Sequence, residues 1–301
     1  MILAVVLVVF GSIALAALLT PPIYSLLGSI MSEEMLWPFS RVFDRVAMAC
    51  VLGFVLVLRK HFPIRDMLEV YKLGDWKTRV VAFRRALLIS IVTSLLVFGA
   101  YVYSDLLRAK DTLTLSFVLS RAMKAIGTGI VVSLIEESFF RAMLFPQLIP
   151  RVGALLAAVI TSFVYSGAHF IAPVKTWEFH EGSWFVGFDY LSAVLSRAWT
   201  PEMVFPFLGL FLVGLVLAHL FYVSRNIYLC LGLHTGWVFI LKCCNYFTYP
   251  TDEELYSGAG RNFFFVAQPV TWIAIIVCWG GIYYWLSCRS GACLSRTAPE
   301  Q

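Results

Sequence analysis

Glu136, Glu137 and Arg141 stand inside "VVSLIEESFFRAML", residues 131–144, a run otherwise apolar enough for a lipid core. Ionisable side chains in such surroundings cost free energy and usually face a bundle interior or a water-filled cavity, which makes each a candidate for function. Glu137 and Arg141 are four apart, so on an α-helix they lie about 40° apart around the axis, with the acid on the N-terminal side as an i,i+4 pair prefers. That pair is expected to be structural, a polar clasp between helices. Glu136 is rotated by about 100° from Glu137, points to another face and is less easily neutralised by the same arginine. It is the carboxylate left for chemistry, and a base poised near neutral pH is what activating a water requires.

Three histidines fall in other apolar runs: His169 in "FVYSGAHF", His219 in "LVLAHLFY" and His234 in "LGLHTGWVF". A single intramembrane histidine often just hydrogen-bonds a neighbouring helix. Taken with the two carboxylates, His169 and His234 form a set able to share a water. His219 belongs to no motif and is expected to pack or hydrogen-bond. Gly232 and Gly236 flank His234 with small-xxx-small spacing, which permits close helix approach beside the imidazole. One glutamate and two histidines are also residue types that bind zinc, so a divalent metal stays open on residue type; no H-E-x-x-H pair exists for a zincin-type site, and a site without a cofactor is the expectation.

The elements that must position these groups follow from composition. The chain has 301 residues, 60% hydrophobic and 14% charged, with a mean hydropathy of +0.83, values far from soluble-domain averages. A spanning helix needs ~20 mainly apolar residues. Eight stretches qualify: 1–20, 42–58, 86–103, 117–144, 152–171, 203–223, 227–247 and 263–286. The fold class expected is all-α, a single integral membrane domain over 1–301 built as a helical bundle of about eight transmembrane helices. The first stretch lacks a positive n-region and runs into Pro21 and Pro22, so it is taken as a span and not as a signal peptide.

Lys and Arg in short loops set orientation. Arg59, Lys60, Arg65, Lys72, Lys77, Arg79, Arg84 and Arg85 crowd the loop between the second and third runs, and Arg151 and Arg225 fall in loops on the same side. The opposite side has Lys175, Arg197 and Arg261 beside Asp252, Glu253 and Glu254. Both termini are then cytoplasmic, and the compact loops and short tail suggest a bacterial cytoplasmic membrane. This asymmetry accounts for the net charge of +5 without a nucleic-acid partner. The basic connector 59–85 reads either as an amphipathic helix on anionic headgroups or as a solvated loop. The aromatic-rich segment 172–202 reads as an interfacial lid or as ordinary packing. Seven cysteines, five of them in spans, do not suggest a disulfide framework; Cys288 and Cys293 are expected to be inert tail thiols.

The order of these residues resembles the CPBP family of CAAX-type and bacteriocin-processing intramembrane proteases, which includes the Rce1-like endopeptidases. Two glutamates, three residues and an arginine appear as "EESFFR"; an aromatic, three residues and a histidine appear as "YSGAH", with Tyr165 where Phe is usual; "HTGWV" keeps His234 but has Val238 in the place of an asparagine. The resemblance covers about residues 115–245. It implies that Glu136 activates water for attack on a peptide carbonyl, assisted by His169, that Glu137 and Arg141 hold the glutamate helix in shape, and that His234 helps stabilise the oxyanion. The partners implied are the bilayer and a membrane-associated peptide or protein substrate.

Val238 is the departure from the pattern, since removing one oxyanion donor costs ~10²–10³ in rate. A backbone N–H, Tyr165 or Ser166 is a substitute donor; Asn245 lies ~16 Å beyond His234 along a helix and is not. Counting ~1.5 Å per residue, Glu136 lies ~21 Å from the turn near Pro150 and His169 ~28 Å, whereas His234 lies ~12 Å after Asn226, so convergence requires staggered helices or a fifth span that starts deeper. Three readings remain open on the residues: an active protease, a catalytically inactive relative serving as a membrane scaffold or immunity factor, and a proton-coupled transporter.

Overall fold

The computed structural model describes residues 2–32, 35–111, 113–170, 174, 177–180, 185–198, 200–251 and 264–289. Lys175, Asp252, Glu253, Glu254, Arg261 and Cys293 lie outside them. In chain order the elements are α1 (Ile2–Val6), a π-helical turn (Leu7–Gly11), α2 (Ser12–Ile30), α3 (Phe39–Val57), α4 (Ile64–Lys72), α5 (Trp76–Tyr103) and β1 (Leu107–Ala109). There follow α6 (Leu115–Glu137), a π-helical segment (Ser138–Leu144), α7 (Phe145–Ala168), α8 (Val186–Ala198), α9 (Val204–Ser224), α10 (Ile227–Phe247), β2 (Thr248–Pro250), α11 (Phe264–Ala267) and α12 (Pro269–Arg289). The architecture is an all-α helical bundle of an integral membrane protein. The strands form one short antiparallel pair, Arg108 opposite Tyr249, a small addition that no alternating pattern announces.

Among the described residues six stretches are long and apolar enough to cross a membrane: Leu3–Ile30, Trp76–Tyr103, Leu115–Ala168, Pro201–Ser224, Ile227–Phe247 and Pro269–Cys288. The third spans 54 residues and contains two of the eight runs expected from sequence. It is not straight. Gly153 has φ 79° and ψ 163°, outside helical geometry and accessible to glycine at little cost. The rings of Phe140 and Tyr165 lie 5.4 Å apart, whereas 25 residues of uninterrupted helix would separate them by ~37 Å. The chain therefore doubles back at Gly153.

Two expected boundaries move. The first apolar run does not stop at Thr20; α2 continues through Pro21 and Pro22 to Ile30. A proline frees the carbonyl four residues earlier, here those of Ala17 and Leu18, and membrane helices tolerate this where nearby groups re-satisfy the backbone. At the other end of the hairpin, α7 stops at Ala168, so His169 sits in a turn just past the helix. Pro173 in the sequence discourages further helix.

The chain forms two compact units: residues 1–64 with 168–201, and residues 65–167 with 202–301. In the first, Phe39, Phe43, Tyr190, Ala16 and Ala17 make a buried core against which Trp177 and Phe179 pack. In the second, α10 is the central helix. Gly232 and Gly236 face α5 so closely that an added Cβ would fall 2.3 Å from Phe83 O and 1.9 Å from Ser90 Oγ. Thr235 on α10 shares a 2.8 Å hydrogen bond with Ser133 on α6. The small residues around His234 thus place its helix between α5 and the glutamate helix.

Candidate active site

Glu137 closes α6 and is fully buried, with a relative exposure of 0%. Its Oε2 lies 3.2 Å from Arg141 Nε, the ion pair expected from the four-residue spacing. The helix between them departs from expectation. Ser138–Leu144 is π-helical, with hydrogen bonds reaching five residues, a geometry that recurs at functional sites. Arg141 is committed on several sides: Nη2 donates to Gly214 O at 3.2 Å, and the guanidinium lies 5.0 Å from the Tyr165 ring centroid and 5.6 Å from that of Phe140. Nη1 has no hydrogen-bond partner among the described residues.

The other oxygen of Glu137 does what the sequence did not disclose. Oε1 accepts from His234 Nδ1 at 2.8 Å, both groups buried. Such a bond fixes the ring's orientation and places a proton on Nδ1. The opposite nitrogen, Nε2, points toward Glu136, whose Oε2 is 3.7 Å away. That distance is beyond the hydrogen-bond range of ~2.7–3.2 Å. Glu136 keeps 24% of its side chain exposed while Glu137 keeps none. The two neighbouring acids thus have different surroundings, as their angular separation on the helix predicts.

Tyr165 belongs to the same cluster. Its ring meets that of His234 edge to face at 6.2 Å, and its hydroxyl is within side-chain hydrogen-bond reach of Glu136. Ser166, the other side chain considered as a donor, points elsewhere: its Oγ donates to Phe207 O at 2.8 Å. Val238 is one turn beyond His234 on α10 and half-buried. The stagger demanded by the depth count is present, since Glu136 and His234 meet although they lie at different distances from the ends of their helices.

Glu136, Glu137, Arg141, Tyr165 and His234 are all in the second unit, and His169, half-buried in its turn, falls in the segment assigned to the first. His219 lies apart from the cluster, with Trp279 Nε1 donating to its Nδ1 at 3.0 Å, the plain hydrogen-bonding role expected of it. Among the described residues no group of three His, Cys, Asp or Glu side chains gathers as a metal ion would require. The connector reaches the site from outside. α4 is a helix, and Tyr71 on it shares a 2.6 Å hydrogen bond with Ser138, the residue after Glu137; burial pushes the Tyr71 hydroxyl up.

The chemistry available is a carboxylate with partial access, an imidazole clamped by a second carboxylate, and a phenol, all around one point. Glu136, Glu137 and Arg141 together carry one negative charge, so a single further proton, held on Nε2 or on Glu136, leaves the cluster neutral. No curated protein and no solved structure matches the chain. Residues 118–240 match the family model described as Type II CAAX prenyl endopeptidase Rce1-like. That segment holds every residue of the cluster and His169 besides, and over it the chain is similar to the Rce1-like CAAX prenyl endopeptidases.

Proposed function

We propose that this protein is an intramembrane endopeptidase that hydrolyses a peptide bond of a membrane-associated protein or peptide with a water activated by Glu136. The observation that carries the reading is the 3.7 Å approach of Glu136 Oε2 to His234 Nε2 with Nδ1 held by Glu137. In the neutral-cluster form with the proton on Nε2, Glu136 is ionised. It takes a proton from water as the oxygen attacks the scissile carbonyl carbon, and Nε2–H donates to the resulting oxyanion. Collapse breaks the C–N bond, and the proton on Glu136 passes to the leaving nitrogen. His169 assists at the water, a role that the family resemblance assigns to it. Tyr165 stands where its hydroxyl supplies the donor that Val238 cannot. No metal enters this sequence of steps. The Lys and Arg bias supports cytoplasmic termini, and the compact loops are the ground for placing the chain in a bacterial cytoplasmic membrane.

Reconstituted protein with membrane-associated peptides tests the reading. Glu136→Ala is expected to abolish cleavage with folding retained, and EDTA to leave the rate unchanged. Proton-coupled uptake that stops in Glu136→Ala without any proteolysis would overturn it. Val238 favours one second reading, an inactive relative that keeps the fold; it is supported if wild type cleaves nothing while Val238→Asn does.

A further inference from the structure

Away from the acid and histidine cluster, the second unit contains a cavity of about 460 Å³ where the ends of four helices meet. It is walled by the first turns of α5 (Lys77, Val81, Arg85), the end of α9 (Ser224), the start of α10 (Asn226, Leu229) and the end of α12 (Trp285, Leu286). The charged residues lining it are Lys77 and Arg85, and none of the described lining residues is acidic. Among the described residues neither cation is in an ion pair. The nearby acid, Asp75, is engaged by the backbone N–H and hydroxyl of Thr78. Arg85 lies 5.4 Å from the Trp285 ring centroid.

The neutral polar groups at the rim are committed within the protein. Ser224 Oγ donates to Leu220 O at 2.6 Å, and Asn226 Oδ1 accepts from Tyr228 N at 3.0 Å. What faces an incoming group is therefore two cations, joined by the positive end of α10, a 21-residue helix; that combination selects an anion. Below the cations the walls turn apolar with Val81, Ala82, Leu229 and Leu286. A free phosphate gains nothing from those walls, but an acyl chain does. The cavity also opens where four apolar spans begin or end, the level of the headgroups, and Trp285 is the residue type that anchors there.

We propose that this cavity binds an anionic phospholipid, its phosphate held between Lys77 and Arg85 and an acyl chain laid along Val81, Leu229 and Leu286. The site does not depend on the proteolytic reading, and none of its residues belongs to the acid and histidine cluster.

The full-length chain in nonionic detergent is titrated with dioleoylphosphatidylglycerol, dioleoylphosphatidylcholine or inorganic phosphate, with bound lipid read by native mass spectrometry and thermal stability in parallel. Phosphatidylglycerol is expected to bind and stabilise. Lys77→Gln with Arg85→Gln weakens that binding on the order of 30-fold, the product of two cations at a membrane surface. Arg84→Gln, a charge loss on the same helix outside the cavity, leaves it unchanged, and Arg85→Lys retains the preference for the anionic lipid. Equal binding of phosphatidylcholine, full stabilisation by phosphate alone, or undiminished binding by the double variant would each overturn the proposal. Peptide cleavage measured on the same variants keeps its fate separate from that of the protease reading.

Discussion

At the scale of single residues, the chain separates two adjacent glutamates into different tasks by their position around a helix. The pairing of Glu137 with Arg141 was legible from spacing, because an i,i+4 relation is local. The bond from Glu137 to His234 was not, since 97 positions separate the two residues and no sequence pattern carries such a contact. This bond makes Glu137 a positioning residue for the imidazole as well as a counter-ion. Glu137→Gln strands a buried guanidinium and is expected to cost about 3–5 kcal/mol of stability. Adding Arg141→Met to Glu137→Gln is expected to recover most of the unfolding midpoint but not the cleavage rate, because Nδ1 has still lost its anionic acceptor. Recovery of both would reduce Glu137 to a structural role. Tyr165 and Ser166 were equivalent candidates in sequence, and geometry parts them. Tyr165→Phe keeps the ring against Arg141 and His234 and is expected to lower kcat ~10²–10³, whereas Ser166→Ala leaves kcat near wild type. An unchanged kcat in Tyr165→Phe removes the phenol from the mechanism.

At the scale of elements, hydrophobic run length found the helices well and their interruptions poorly. A π-helical segment of seven residues cannot be told from α-helix by apolar periodicity, because every position around it is apolar enough to be buried on any face. Gly153 gave a clearer signal, since Pro150 precedes it and glycine adopts the positive φ the reversal needs. The connector 59–85 left two readings open, and the structure resolves part of it as helix. Its continuation into α5 begins with a cap that the structure reveals: Asp75 accepts from Thr78, and the carboxyl is held below its usual range by hydrogen bonds from Thr78. The sign of the linkage follows. A carboxyl depressed in the folded state stabilises above its unfolded value of ~3.9 and loses that contribution as pH falls through the folded value. Asp75→Ala is thus expected to lower the unfolding midpoint at pH 7, and the gap from wild type is expected to close on acidification below ~4. A gap that persists at low pH would show that the cap acts through something other than the ionised carboxyl.

At the scale of the whole molecule, the family's ordered motifs fall on both sides of a unit boundary, since Glu136 and His234 belong to the second unit and His169 to the segment 168–201 of the first. The three expected catalytic residues therefore make separable demands. If the proposed protease uses His169 at the water, His169→Ala is expected to reduce kcat ~10²–10⁴, the range for removing a group that moves a proton. His219→Ala is the matched control: another half-buried imidazole, engaged by Trp279 and lining an apolar cavity of about 560 Å³, whose loss should alter packing and leave kcat near wild type. Measuring both variants with one peptide under the same lipid conditions distinguishes a histidine that acts on the reaction from one that fills space. Equal losses in the two would mean that any imidazole removed from this bundle damages it in the same way, and His169 would then have no claim to the water.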